Sequence, residues 1–246
     1  ALGMAIALTE LDQDLWFPHP EQALDEPEGL LAIGGDLTPN RLRLAYRHGI
    51  FPWYEDDQPL LWWSPPDRAV VFPERFKPSR SLARLLNQNT FQVTLDEHFD
   101  AVIAGCQQHR VQQGQGTWIT QEMITAYSLL FEAGDAHSIA CFSQGRLVGG
   151  LYGVSVGTVF CGESMFSLES NASKVAFSHL VRSCRTLGVN LIDCQMPNPH
   201  LRSLGAEVLP RTTFLGLLAD FADSAVDWAQ LAGPLPAWDK DARPSS

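Results

Sequence analysis

The segment LIDCQM, residues 191–196, reads as a strand carrying a carboxylate and an amide two residues apart. Side chains alternate along a strand. Leu191, Asp193 and Gln195 are therefore expected on one face, and Ile192, Cys194 and Met196 on the other. Burying a carboxylate is costly unless it is paired or hydrogen-bonded, so Asp193 is either satisfied internally or lines a cleft. Pro197 and Pro199 end the strand at once, at a point where clefts form beside crossover connections. A second carboxylate, Glu163, follows Gly162 at the end of an apolar run, flanked by Cys161, Met165 and Phe166. A carboxylate among large apolar groups is suited to contact a cationic ligand, and one beside an amide can serve acid–base chemistry. Trp118, in GTWIT, precedes a helix, where core packing is its default role.

The elements that must hold these groups are legible in outline. Thr38 and Pro39 start a helix that Gly49 stops. Ser79–Asn87 and Asp96–Gln107 read as helices. Thr120 caps another that runs to Ala133 and ends at Gly134. HSIACFS, RLVGGLYGV and TVFCGES, separated by QG and SVG, suggest an antiparallel meander. Asn171–Leu187 carries apolar residues at helical spacing and ends at Gly188. The sum is an α+β fold with a mixed sheet. We expect a small N-terminal domain (residues 1–75), a larger domain (76–232) and a loosely held tail (233–246).

The 246 residues are 45% hydrophobic and 18% charged, as in a globular protein rather than a disordered one. No apolar run approaches the roughly 18 residues of a membrane span, and the start carries no secretory pattern. The five cysteines lack CxxC spacing and suit buried thiols in the cytoplasm, and the seven histidines show no metal-ligand spacing. Net charge is −11, against indiscriminate nucleic-acid binding. Yet residues 68–92 hold Arg68, Arg75, Lys77, Arg80 and Arg84 against Glu74 alone, five positive to one negative, a local +4. Such a stripe can attract a phosphate backbone, or serve only as a solvated helix face.

GLLAIGGDLTPNRLRLAYRHGIFPW, LLWWSPPDRAVVFP, GTWIT, VGGLYGVSVGTVFCGESMFS, NASKVAFSHLV and LIDCQMPNPHLRSLGA, in this order and spacing, resemble the leucyl/phenylalanyl-tRNA–protein transferase family over about Leu15 to Leu218. The resemblance implies a bacterial cytoplasmic enzyme of the N-end rule pathway. It would move Leu or Phe, and Met less well, from aminoacyl-tRNA to the α-amine of proteins beginning with Arg or Lys, marking them for degradation. It also implies a GNAT-like acyltransferase domain behind a small N-terminal domain, no metal or coenzyme, and no membrane. We expect a monomer.

By matching position, Asp193 and Gln195 carry the chemistry, and Glu163 binds the acceptor's α-ammonium or its basic first side chain. Leu151, Phe160, Met165, Phe177, Leu180 and Ile192 would form the donor side-chain pocket. Ile192 fits least, because alternation puts it opposite Asp193. Trp53 and Trp118 could stack on the terminal adenosine, and Arg75, Lys77, Arg80 and Arg84 would meet the tRNA backbone. Two rivals remain. A coenzyme A-dependent acetyltransferase needs a Q/R-x-x-G-x-G/A loop, but VQQGQG has Val111 at its first position. A non-enzymatic adaptor for basic N-termini would suit the acidic surface but leaves Asp193 and Gln195 unexplained.

Overall fold

Two sheets are laid down in order along the chain. The computed structural model describes residues 8–114 and 119–240. The first sheet contains β1 (Thr9–Leu11) and β2 (Leu30–Gly34), followed by helix α1 (Pro39–Arg47), then β3 (Phe51–Pro52) and β4 (Leu61–Trp63). Its order is β1-β2-β4-β3, with β1 parallel to β2. The Thr38 hydroxyl accepts the Arg41 amide at the start of α1, and Pro39 costs the first turn no hydrogen bond.

The second sheet holds the site. In chain order come β5 (Asp67–Val71), α2 (Arg80–Gln88), β6 (Gln92–Leu95), α3 (Phe99–Gln112) and α4 (Gln121–Glu132). Then come β7 (Ala136–Ser143), β8 (Arg146–Val156), β9 (Val159–Ser167), α5 (Ala172–Leu187) and β10 (Leu191–Asp193). The chain closes with α6 (Pro199–Ser203), β11 (Glu207–Pro210), α7 (Arg211–Phe221) and β12 (Gly233–Pro234). The strand order is β11-β5-β10-β9-β8-β7-β6-β12. Every neighbouring pair is antiparallel except β9 and β10, which run parallel across the α5 crossover. The fold is α+β, with a mixed, largely antiparallel sheet flanked by helices.

Adjacent residues on the central strands separate into two apolar clusters. Val70, Tyr152, Cys161 and Leu191 face α3, α4 and the first sheet. Val71, Leu151, Phe160 and Ile192 face α2 and α5. Each central strand is thus buried on both faces, and this two-sided core fixes its register.

Several elements depart from expectation. β5 precedes residue 75 and β12 follows residue 232, yet both are strands of the larger sheet. Helix α3 begins at Phe99 rather than Asp96. Asp96 sits at φ 60°, and its carboxylate instead accepts from the Ser138 amide at 2.9 Å and meets His137 Nδ1 at 2.7 Å. The tail is fastened as far as Asp239, whose carbonyl accepts from Arg182. Trp228 stacks on His137 with ring centroids 4.1 Å apart, β12 pairs with β6, and the Trp238 amide donates to Asn89 Oδ1 at 2.7 Å.

The strand expected over residues 190–196 ends at Asp193. Beyond it Gln195 takes φ 65°, the left-handed region, which breaks the alternation. The Gln195 amide donates to Asp193 Oδ1 at 2.9 Å, and that local bond holds the turn.

Candidate active site

Because β10 stops at Asp193 opposite Cys161 while β9 continues to Ser167, the sheet opens between them. A cavity of about 310 Å³ occupies the gap. All six residues expected for a side-chain pocket line it: Leu151, Phe160, Met165, Phe177, Leu180 and Ile192. Ile192, the doubtful one, shares the α2/α5 face with Leu151 and Phe160. Trp53 stands at the mouth, 40% exposed, edge-on to Trp63 at 5.4 Å. Trp118, like Gln115 and Gly116 of VQQGQG, falls within residues 115–118, outside the described residues.

The polar edge of the cavity is Glu163 with Gln195. A β-bulge aims Glu163. Gly153 pairs with Gly162 and Tyr152 with Ser164, so Glu163 is the extra residue of β9. The bulge needs a glycine opposite, since a Cβ on Gly153 would lie 2.2 Å from the Cys161 carbonyl oxygen. Glu163 Oε1 accepts from Gln195 Nε2 at 2.8 Å and from the hydroxyl of Tyr46 on α1, which also bonds the Tyr127 hydroxyl. Oε2 takes no hydrogen bond among the described residues. Burial pushes the Glu163 carboxyl up to about 8; the Tyr46 bond opposes the rise and the Asp193 charge adds to it. Burial also lifts the Tyr46 phenol well above its ordinary value, which keeps it a donor.

Asp193 departs from the expected placement. It does not line the cavity. Its carboxylate is instead gripped twice by Arg68, Nε to Oδ1 at 3.0 Å and Nη2 to Oδ2 at 2.8 Å. Both side chains are 1% exposed. Strand alternation does not carry as far as Gln195, because β10 ends at Asp193 and Gln195 sits in a turn; Gln195 lines the cavity and Asp193 does not. With both oxygens held by Arg68 and one also by the Gln195 amide, Asp193 fixes the backbone on which Gln195 stands.

Arg68 is accordingly no part of a surface stripe. Its Nη1 donates to the Gly49 carbonyl at 2.8 Å, and its guanidinium lies 5.2 Å from the Phe51 ring and 4.4 Å from the Phe214 ring. Arg75, Lys77, Arg80 and Arg84 are all exposed. Arg75 is bridged to Glu207 at 2.9 Å. Lys77, Arg80 and Arg84 have no carboxylate within bridging distance among the described residues.

Sequence reasoning missed Arg68, Tyr46 and Tyr127, along with the cavity residues Phe51, Arg110, Tyr152, Met196 and His200. One signal was available. Arg68 opens the apolar run AVVF, the same anomaly that singled out Asp193. Tyr46 shows only as an apolar-face residue of a short helix, and no sequence pattern joins it to Glu163.

Comparison with known proteins identifies a family. The leucyl/phenylalanyl-tRNA protein transferase family profile matches residues 70–219, and the profile of that family's N-terminal domain matches residues 35–66. The chain is 52% identical over 221 residues to the leucyl/phenylalanyl-tRNA–protein transferase of Hahella chejuensis, covering 88% of this chain and 94% of that one. With the transferase of Pseudomonas entomophila it shares 52% identity over 226 residues, covering 91% of this chain and all of that one (100%). Likeness to solved structures is lower, as with FemX at a TM-score of 0.47 and 11% identity, over 74% of this chain and 71% of that one. On the matched profiles and these relatives, the chain belongs to the leucyl/phenylalanyl-tRNA protein transferase family.

Proposed function

We propose that the protein transfers Leu or Phe, and Met less well, from aminoacyl-tRNA to the N-terminal α-amine of proteins beginning with Arg or Lys, which marks them for N-end rule degradation. The observation that carries this reading is an apolar cavity of about 310 Å³ with a Glu–Gln pair on its rim. The apolar walls accept the donor side chain, with Phe177 and Leu180 supplied by α5. The aminoacyl ester is already activated, so alignment supplies much of the rate. What remains is to remove a proton from the amine and to stabilise the oxyanion.

Glu163 meets the first need. Its carboxyl, raised to about 8, is matched to an α-ammonium of about 7.7–8.0. It draws the amine in and takes its proton. Gln195 meets the second. One Nε2 proton is committed to Glu163, and the other is left for the developing oxygen. Asp193 acts through Gln195 as a positioning residue. Trp53 stacks on the terminal adenosine. In this reading a GNAT-like acyltransferase domain works in the cytoplasm as a monomer, with aminoacyl-tRNA as substrate and no metal or coenzyme.

The test is transfer of radiolabelled Leu from Leu-tRNA to an Arg-starting peptide, with acetyl-CoA as the parallel donor. We expect label on the peptide from Leu-tRNA alone. Glu163→Gln should lower turnover by about 10²–10⁴-fold. Acetylation in place of leucylation would establish the rival acetyltransferase. Peptide capture without transfer would establish the adaptor.

A further inference from the structure

Lys174 lies in the first turn of α5, three residues before Phe177, so the two occupy the same side of the helix. Phe177 lines the cavity, and Lys174, one turn nearer the start of the helix, is close enough to the lining residue His200 for its charge to act on that ring. It is half-buried and has no carboxylate within bridging distance among the described residues. His200, on α6, is exposed and lines the same cavity. Burial, and then the Lys174 charge, hold the His200 imidazole below its ordinary range. A cation and a chargeable ring set together without an anion repel each other, and the fold gains nothing by placing them there. An anionic ligand reverses the sign of that arrangement.

The proposed donor carries such an anion next to its reactive end. The amino acid is esterified to the last ribose, and the first phosphodiester lies on the 5′ side of that same nucleotide. With the amino-acid side chain among Phe160, Phe177 and Leu180, the ribose comes to the mouth and the phosphodiester to the rim beyond it.

We propose that Lys174 and His200 together bind the phosphodiester on the 5′ side of the terminal adenosine of aminoacyl-tRNA. The inference rests on the transferase reading. It adds a subsite, the place where the single-stranded end of the tRNA is gripped before the ester enters the cavity. Lys174 supplies a point charge and His200 a ring N–H. The contact reads the backbone alone, so it serves Leu, Phe and Met donors alike.

The experiment compares three donors: Leu-tRNA, leucyl-adenosine lacking the 5′-phosphate, and the same compound bearing it. The readout is kcat/KM for transfer to an Arg-starting peptide. In Lys174→Gln the ratio of Leu-tRNA to the phosphate-free donor should fall about fivefold at about 0.1 M salt, since one contact to a single strand contributes a log–log slope of about 0.7. The slope itself should flatten by about 0.7. His200→Gln should lower the same ratio, and Lys174→Arg should restore it. The phosphorylated compound should follow Leu-tRNA. Loss of equal size with all three donors, or an unchanged ratio, would overturn the subsite while leaving transfer intact. A wild-type protein inert with every donor would overturn the transferase reading and the subsite with it.

Discussion

Glu163 is a cavity carboxyl whose ionisation the fold alters strongly. The ordinary value for such a carboxyl is 4.5, and burial raises it to about 8. The native state therefore holds a proton that the unfolded chain releases across that interval. The contribution to stability is full below about 4.5 and is lost as pH rises through about 8. Urea unfolding at mildly acidic and mildly alkaline pH should show the wild type losing stability across the interval. Glu163→Gln, which never ionises, should lose less, by on the order of a few kcal/mol. Parallel pH curves for the two proteins would remove Glu163 as the titrating group. A carboxylate ending an apolar run was visible in the sequence. That it is the carboxylate in the cavity, while Asp193 is the one held by Arg68, was not. Arg68 reaches Asp193 from a strand far back in the chain, and the positive φ at Gln195 is, for a residue other than glycine, imposed by neighbours rather than by local preference.

At the scale of elements, the bulge on β9 is the device that matters. A methyl on Gly153 would meet the Cys161 carbonyl oxygen at 2.2 Å and the Phe160 ring at 2.6 Å, neither of which can move freely inside a paired strand. A methyl on Gly162 would meet only the Asp193 carbonyl oxygen, at 3.6 Å. Gly153→Ala should therefore destabilise by about 1–3 kcal/mol or more, and Gly162→Ala by less than about 1 kcal/mol. Denaturant midpoints of the two variants decide it. Equal midpoints would mean that the bulge relaxes at no cost. The helices were legible because their caps are local: Thr38, Ser79 and Thr120 each accept the amide three residues on. The meander was legible through its glycine turns. The short strands β5, β6 and β12 were not, because their existence depends on partners far along the chain. Nor does any periodicity show that β10 stops short of β9, although the cavity exists because it does.

For the whole molecule, charge is distributed against its total. The net charge is −11, yet Lys77, Arg80 and Arg84 stand exposed on one short stretch. Affinity for tRNA should fall steeply between about 50 and 200 mM salt. Replacing all three by Ala should flatten the log–log slope by about 3 if each meets one duplex phosphate. A slope that is unchanged in the triple variant would place the tRNA elsewhere. The grip on Arg68 also reaches across the chain. Its guanidinium is flanked by Phe51, from β3, and Phe214, from α7, and it holds both oxygens of Asp193 beneath Gln195. The seat of the Gln195 side chain therefore draws on residues as far apart as Phe51 and Phe214. A nascent chain not yet extended through α7 has most of the greasy chamber's walls but lacks one of the two rings that flank the clamp, so the donor at the rim gains its full support only after that helix is made.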